Sequence, residues 1–290
     1  MNTECSNTMI NTTAANNNDN GAVVCVNNLQ VCVGKKLLLS GINFEVRAGE
    51  LLSVVGANGA GKTSLLKALV GDIAYNGRIK FLGLGDEPVL LPSAGLPLGK
   101  RLARQIAFLP QLSLLNFPFL AAEVIALGRY PHSSGVTADH EIVEAVARKM
   151  DVVHLLHRSY TQLSGGEKQR VQLARVMAQL WPESEHKVQT PYRLLLLDEP
   201  MSALDPGHQQ LVLTSLCDFA NTGVAVVLVM HDINLAARYS ESMLALDRGR
   251  QVALGSPQEV VTAEVIRRLF AIDVEIMRHP LTQSPVMLTL

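Results

Sequence analysis

The sequence predicts an α/β chain: a mostly parallel sheet, an antiparallel β segment on one flank, and a block of helices inserted between strands. A glycine-rich loop at residues 54–71 (VVGANGAGKTSLLKALVG) follows one apolar strand and opens a helix. Apolar runs of strand length recur at 193–198 (RLLLLD) and 224–230 (VAVVLVM) and read as buried parallel strands. Between the early and late strands, residues 121–180 change to apolar positions three and four apart, the helical period.

The loop carries the first chemistry. Gly56, Gly59, Gly61, Lys62 and Thr63 fit G-x-x-x-x-G-K-[ST]. Glycines let backbone N–H groups converge on a phosphate without interference from Cβ, and the helix start adds its positive end. Lys62 would reach the β- and γ-phosphates of a nucleotide, and the Thr63 hydroxyl would hold Mg²⁺. Ala57, Asn58, Ala60 and Ser64 complete the nucleotide-binding stretch.

Composition narrows the class. The 290 residues suffice for one large α/β domain or two smaller ones. Hydrophobic content is 48% and formal net charge is −1, so no broad basic field for nucleic acid or anionic lipid is indicated. Mean hydropathy is +0.20, high for a soluble chain. Yet no run approaches the about 18 apolar residues of a membrane span, so the chain is not expected to cross a membrane itself. The cysteines (Cys5, Cys25, Cys32, Cys217) have no metal-binding spacing and read as reduced thiols. His154 and His157 share a helical face without a third ligand nearby, which favours a solvated face over a metal site.

In chain order, residues 1–21 are Asn- and Thr-rich and too polar to offset ordering entropy, so they read as a disordered tail. They lack a basic stretch followed by an apolar one, unlike a signal peptide. Residues 22–50 alternate in short bursts broken by Asn-Asn and Gly-Lys-Lys, an antiparallel meander leading into the loop strand. Further strands are expected at 77–82 and 105–109, with a Gly/Pro-rich surface loop at 83–102 between them. Helices are expected over 121–129, 139–156 and 165–180, and a short one around 263–270 started by Thr262. Two strand-like pieces, 274–277 and 286–288, end the chain.

The strand at 193–198 ends in Asp198 and Glu199. Ligands of open parallel sheets sit at the carboxyl ends of strands. Two adjacent acids there point to Mg²⁺ and water handling rather than to a helix cap. His231 and Asp232 end the 224–230 strand on the same edge.

At residues 163–167 (LSGGE) the pattern becomes that of a family. Together with GANGAGKT, Gln111 in FLPQ, LLLLDEP, SALD and His231, the chain resembles the nucleotide-binding subunit of an ATP-binding-cassette (ABC) transporter over roughly residues 22–270. The resemblance implies a P-loop NTPase with a parallel core sheet, an antiparallel β-subdomain and a helical subdomain inserted at about 112–180. Residues 22–290 would form one ATPase domain, with 251–290 a C-terminal extension. It implies that ATP and Mg²⁺ are bound: phosphates by Gly56, Asn58, Gly59, Gly61 and Lys62, the metal by Thr63 and Asp198 with Gln111. Glu199 would polarise the attacking water, with His231 and Gln111 at the γ-phosphate. Ser164, Gly165 and Gly166 would face the nucleotide of a second copy in a head-to-tail homodimer, with Asp205 communicating across that interface.

Two departures stand out, at Val33 and Met201, beside one insertion. The aromatic that stacks on adenine in the family falls near Val33, and an aliphatic there leaves nucleobase preference open. Met201 stands where Thr or Ser is usual, and 181–191 is a long insertion read as a surface loop.

Within the family, LNFPFLAAEVIALGRYPH, VQLARVMAQLW, HDINLAARYS and GRQVALGSP are similar to importers of iron-siderophores, cobalamin and heme, most of all hemin-import ATPases. That implies a peripheral subunit on the cytoplasmic face of a bacterial inner membrane. It would serve a membrane permease dimer, touched near Phe117, Pro118 and Phe119, and indirectly a periplasmic heme-binding protein. A siderophore or cobalamin cargo is the alternative. Soluble cassette proteins carry two cassettes or a long coiled coil, and this chain has one phosphate loop and no heptad run. A small-molecule kinase would have no use for LSGGE or for the paired acids.

Overall fold

The computed structural model describes residues 21–82, 89–90, 100–111, 117–182 and 192–290. The expected N-terminal tail apart from Gly21, most of 83–102 and the loop beyond Pro182 lie outside them.

The strands run β1 Ala22–Val33, β2 Lys36–Arg47, β3 Leu51–Val55, β4 Asn76–Phe81, β5 Val89–Leu90, β6 Ile106–Leu109, β7 Arg193–Asp198, β8 Val224–Val229, β9 Ser242–Asp247 and β10 Arg250–Gly255. They form one sheet in the order β5-β4-β1-β2-β10-β9-β3-β8-β7-β6. Strands β9, β3, β8, β7 and β6 are mutually parallel, whereas β1 pairs antiparallel with β2 and β4. A separate hairpin, β11 Val274–Arg278 with β12 Pro285–Thr289, ends the chain.

The all-apolar strands are explained by burial on both faces. In β7, Leu195 and Leu197 join one core with the helices, while Leu194 and Leu196 join the other with Leu65 and Leu66 and with residues of β1 and β2. Alternate side chains of a strand point to opposite faces, so a strand covered on both sides needs an unbroken apolar run.

Helices α1 Lys62–Leu69 and α2 Lys100–Ala103 precede the helical block. The block contains α3 Ala121–Ala126, α4 Val136–Lys149 and α5 Gly165–Leu180, and lies between β6 and β7 in sequence. Then come α6 Pro206–Ala220, α7 Ile233–Tyr239, α8 Pro257–Val260 and α9 Ala263–Phe270. Thr262 caps α9, accepting from the Val265 N–H.

Three sequence expectations are corrected. Within 83–102, Val89–Leu90 pairs with β4 and Lys100–Ala103 is a helical turn, so the segment is not loop throughout. The helix expected to run to 156 stops at Lys149, where Asp151 takes φ 52°. Asp151 N–H bonds Arg148 O and Val152 N–H bonds Ala147 O, a left-handed stop usually signalled by glycine. The buried Arg170 holds it, donating to the Asp151 carbonyl at 2.6 Å. His154 therefore sits in a short 3-10 turn (Val153–Leu155) and His157 beyond it, not on one continuous helix. Helices α6 and α7 add to the elements read from the sequence, and Asp205-Pro206 and Asp232 are good helix starts.

Candidate active site

The loop after β3 has a shape that only glycine permits at two positions. A Cβ on Gly56 (φ 150°) would lie 2.1 Å from the Leu246 carbonyl oxygen, and one on Gly61 (φ 104°) 2.5 Å from Leu39 Cδ2. The loop is thus pressed between β9 and β2. Helix α1 begins at Lys62 with Gly61 before it and no side-chain cap, so its first N–H groups stay available to an anion. Asn58, Gly59, Thr63 and Ser64 line the adjoining cleft, while Ala60 packs into the core.

The Lys62 side chain is buried and curls over the loop, donating from Nζ to Gly56 O at 2.8 Å and Ala57 O at 3.2 Å. Burial lowers its pKa, and the charges of Glu199 and Asp198 offset part of that.

Three neighbouring strand ends converge beside this lysine. Asp198, the last residue of β7, is fully buried. Burial raises its pKa; the nearby Thr63 hydroxyl lowers it in part, Glu199 raises it further, and Lys62 and Lys67 oppose. Even so, neither carboxylate oxygen makes a hydrogen bond of good geometry. A buried, unpartnered carboxylate is costly unless positive charge meets it. Beside Thr63, this all-oxygen donor set suits a hard divalent cation such as Mg²⁺.

Glu199 follows with φ 51°, a left-handed conformation unfavourable for a side chain with a Cβ. Such strain clusters at functional sites. Its Oε2 accepts from Gln111 Nε2 at 2.6 Å, beyond the end of β6, and its Oε1 lies 2.5 Å from His231 Nε2, beyond the end of β8.

A cleft of about 660 Å³ joins Lys62, Thr63, Gln111, Glu199 and His231 to the loop. Its opposite flank is formed by Lys36, Leu37, Leu38 and Arg248, which motif reading missed because no fixed pattern marks them. Val33 is exposed and does not line the cleft.

Ser164, Gly165, Gly166 and Asp205 lie elsewhere. Ser164 caps α5 in a reciprocal pair: its hydroxyl accepts from Glu167 N–H, and Glu167 Oε2 accepts from Ser164 N–H at 2.7 Å. A Cβ on Gly166 would meet Ala203 O at 3.0 Å, so this helix start rests on the segment after β7. Asp205 caps α6 and lies 2.6 Å from His208 Nδ1. None of these lines the cleft.

The sequence pattern of the ABC transporter family matches residues 39–202. The chain belongs to that family. It is 44% identical over 265 residues to the hemin import ATP-binding protein HmuV of Plesiomonas shigelloides, covering 88% of this chain and 97% of that one. It is 45% identical over 264 residues to HmuV of Pseudomonas aeruginosa, covering 90% and 97%. Among solved structures it resembles a metal-chelate type ABC transporter in an inward-facing conformation (TM-score 0.73, 25% identity, 93% of this chain and 98% of that one). It also resembles a bacterial Atm1-family ABC exporter with ATP bound (TM-score 0.64, 25% identity, 86% and 40%).

In this ABC chain one further surface stands out, at the helical block. Phe117 and Phe119 are exposed with ring centroids 6.1 Å apart, and Pro118 is exposed between them. Leu127 and Tyr130 are exposed nearby in sequence. Among the described residues no helix is long and apolar enough to cross a membrane.

Proposed function

We propose that this chain is the ATP-hydrolysing subunit of an ABC importer of heme. The observation that carries the ATPase reading is the convergence of Lys62, Glu199, Gln111 and His231 on one cleft beside an uncapped helix start, with the buried Asp198 carboxylate acting on Lys62 from behind it.

Phosphoryl transfer asks for positioning and charge neutralisation. The N–H groups of the 56–64 loop and the Lys62 ammonium bind the phosphate oxygens. Asp198 and Thr63, with Gln111, would hold Mg²⁺, which would supply neutralisation of the charge on those oxygens. Glu199, joined to both His231 and Gln111, orients the attacking water and takes its proton. His231 holds the Glu199 carboxylate and faces the terminal phosphate. By the family resemblance, Ser164, Gly165 and Gly166, which stand outside this chain's cleft, act on the nucleotide of a second copy in a head-to-tail homodimer, with Asp205 at the same interface. Closure of that dimer, driven by ATP, passes through the helical block to the permease at Phe117, Pro118 and Phe119. The subunit works at the cytoplasmic face of an inner membrane, and a periplasmic heme-binding protein feeds the permease. Residues 22–290 act as one ATPase unit.

The heme cargo follows from likeness to the hemin import proteins, which spans nearly their whole length. The test is growth of the source cell lacking this gene, with heme as sole iron. Failure on heme, normal growth on ferric siderophore, and rescue by wild type but not by Lys62→Ala is the expected result. Normal growth on heme with failure on a siderophore or in cobalamin limitation would reassign the cargo.

A further inference from the structure

The acids and the phosphate loop account for only one flank of the cleft. Sheet order places β8, β7 and β6, which lead to His231, Glu199 and Gln111, on one side of β3, and β9, β10 and β2 on the other. A triphosphate whose terminal phosphate meets the acids therefore sends its nucleoside toward β2 and the β9–β10 turn. The residues lining the cleft there are Lys36, Leu37, Leu38 and Arg248, and none is aromatic.

Arg248 is held there at a cost. Asp247 pairs with Arg250, and the two residues between them take φ 45° (Arg248) and φ 76° (Gly249), a two-residue hairpin turn with both centres left-handed. Glycine, asparagine and aspartate suit the first of these positions, and an arginine there carries backbone strain. The turn is also fixed in place. Gly249 N–H donates to Ala60 O in the phosphate loop at 3.0 Å, and Ser40 N–H donates to Gly249 O at 2.8 Å. A Cβ on Gly249 would lie 2.3 Å from Leu38 O. The hairpin thus delivers Arg248 to the rim of the cleft while Gly249 anchors against the loop. The side chain is 94% exposed, and its contact with Asp247 is a loose 4.0 Å, so the guanidinium is free to meet a ligand.

We propose that Arg248 recognises the nucleobase, its planar guanidinium stacking on the ring while the half-exposed Leu37 offers an aliphatic surface beside it. A guanidinium is well suited to this role, being planar, weakly hydrated and attracted to aromatic faces. The inference rests on the reading of the cleft as an ATP site.

The test is calorimetric binding to the full chain, with Mg²⁺, of ATP and of inorganic tripolyphosphate, which has the phosphates and no base. Arg248→Ala should weaken ATP by about 3- to 30-fold and leave tripolyphosphate binding at the wild-type value. The unaltered tripolyphosphate affinity also reports that the variant is folded. Val33→Ala should leave ATP affinity as it is. Equal losses for ATP and tripolyphosphate would make Arg248 a phosphate ligand and overturn the proposal, as would full ATP affinity in Arg248→Ala. A wild-type chain that binds no ATP would instead overturn the reading of the cleft on which the proposal stands.

Discussion

His231 Nε2 lies 2.5 Å from Glu199 Oε1, while the other oxygen of the same carboxylate accepts from Gln111 at 2.6 Å. One acid thus ties together three strand ends, and its backbone is held left-handed to do so. Glu199→Gln keeps the shape and removes the base. Hydrolysis should fall by about 10²–10⁴-fold while ATP still binds, trapping a closed dimer. Light scattering with ATP and Mg²⁺ present checks this, and a persistent monomer would count against the role.

Gly56 and Gly59 differ in what surrounds them. A Cβ at Gly56 meets a backbone carbonyl at 2.1 Å, whereas one at Gly59 (φ 79°) meets nothing within 4 Å. Gly56→Ala must therefore displace β9 or the loop, costing about 1–3 kcal/mol by overpacking, while Gly59→Ala meets only backbone strain. Thermal unfolding should rank Gly56→Ala below Gly59→Ala, with about 2–4 °C for each kcal/mol of difference. The reverse ranking would mean that the loop does not pack as described.

Ser164 is exposed and off the cleft, so a bulky cation there need not disturb the monomer's own nucleotide. Ser164→Arg should abolish turnover while leaving ATP affinity of the isolated monomer near wild type. Lost affinity in the monomer would place Ser164 within its own chain's site.

Much of this arrangement was legible in the sequence because its determinants are local. The loop glycines, the run of Leu194–Leu197 ended by two acids, and Ser164 three residues before Glu167 each carry their physics within a few positions. The stop after α4 was not legible: Asp151 takes the left-handed role only because Arg170, distant in sequence, holds its carbonyl. Arg248 was hidden for a similar reason. Its position depends on Gly249 meeting Ala60 and Leu38, contacts between residues about two hundred positions apart. Helices α6 and α7 carry weak apolar periodicity behind the acids and the histidine, but their starts are local too. Their caps, Asp205 and Asp232, were there to be read.

The cap of α5 gives a pH-dependent prediction. Hydrogen bonds from the Ser164 N–H and hydroxyl, aided by the charge of Arg158, hold Glu167 below its ordinary 4.5 despite some desolvation. An acid with a depressed folded pKa binds its proton more weakly in the folded than in the unfolded chain. Its stabilisation is therefore full above 4.5 and is lost as pH falls through the lower folded value. Glu167→Ala should cost about 0.5–2 kcal/mol at neutral pH, the usual worth of a helix cap, and progressively less below 4.5. Urea unfolding of both proteins at neutral pH and at about pH 3 measures this. A gap that stayed constant across that range would show that the Glu167 carboxylate charge contributes nothing to the cap.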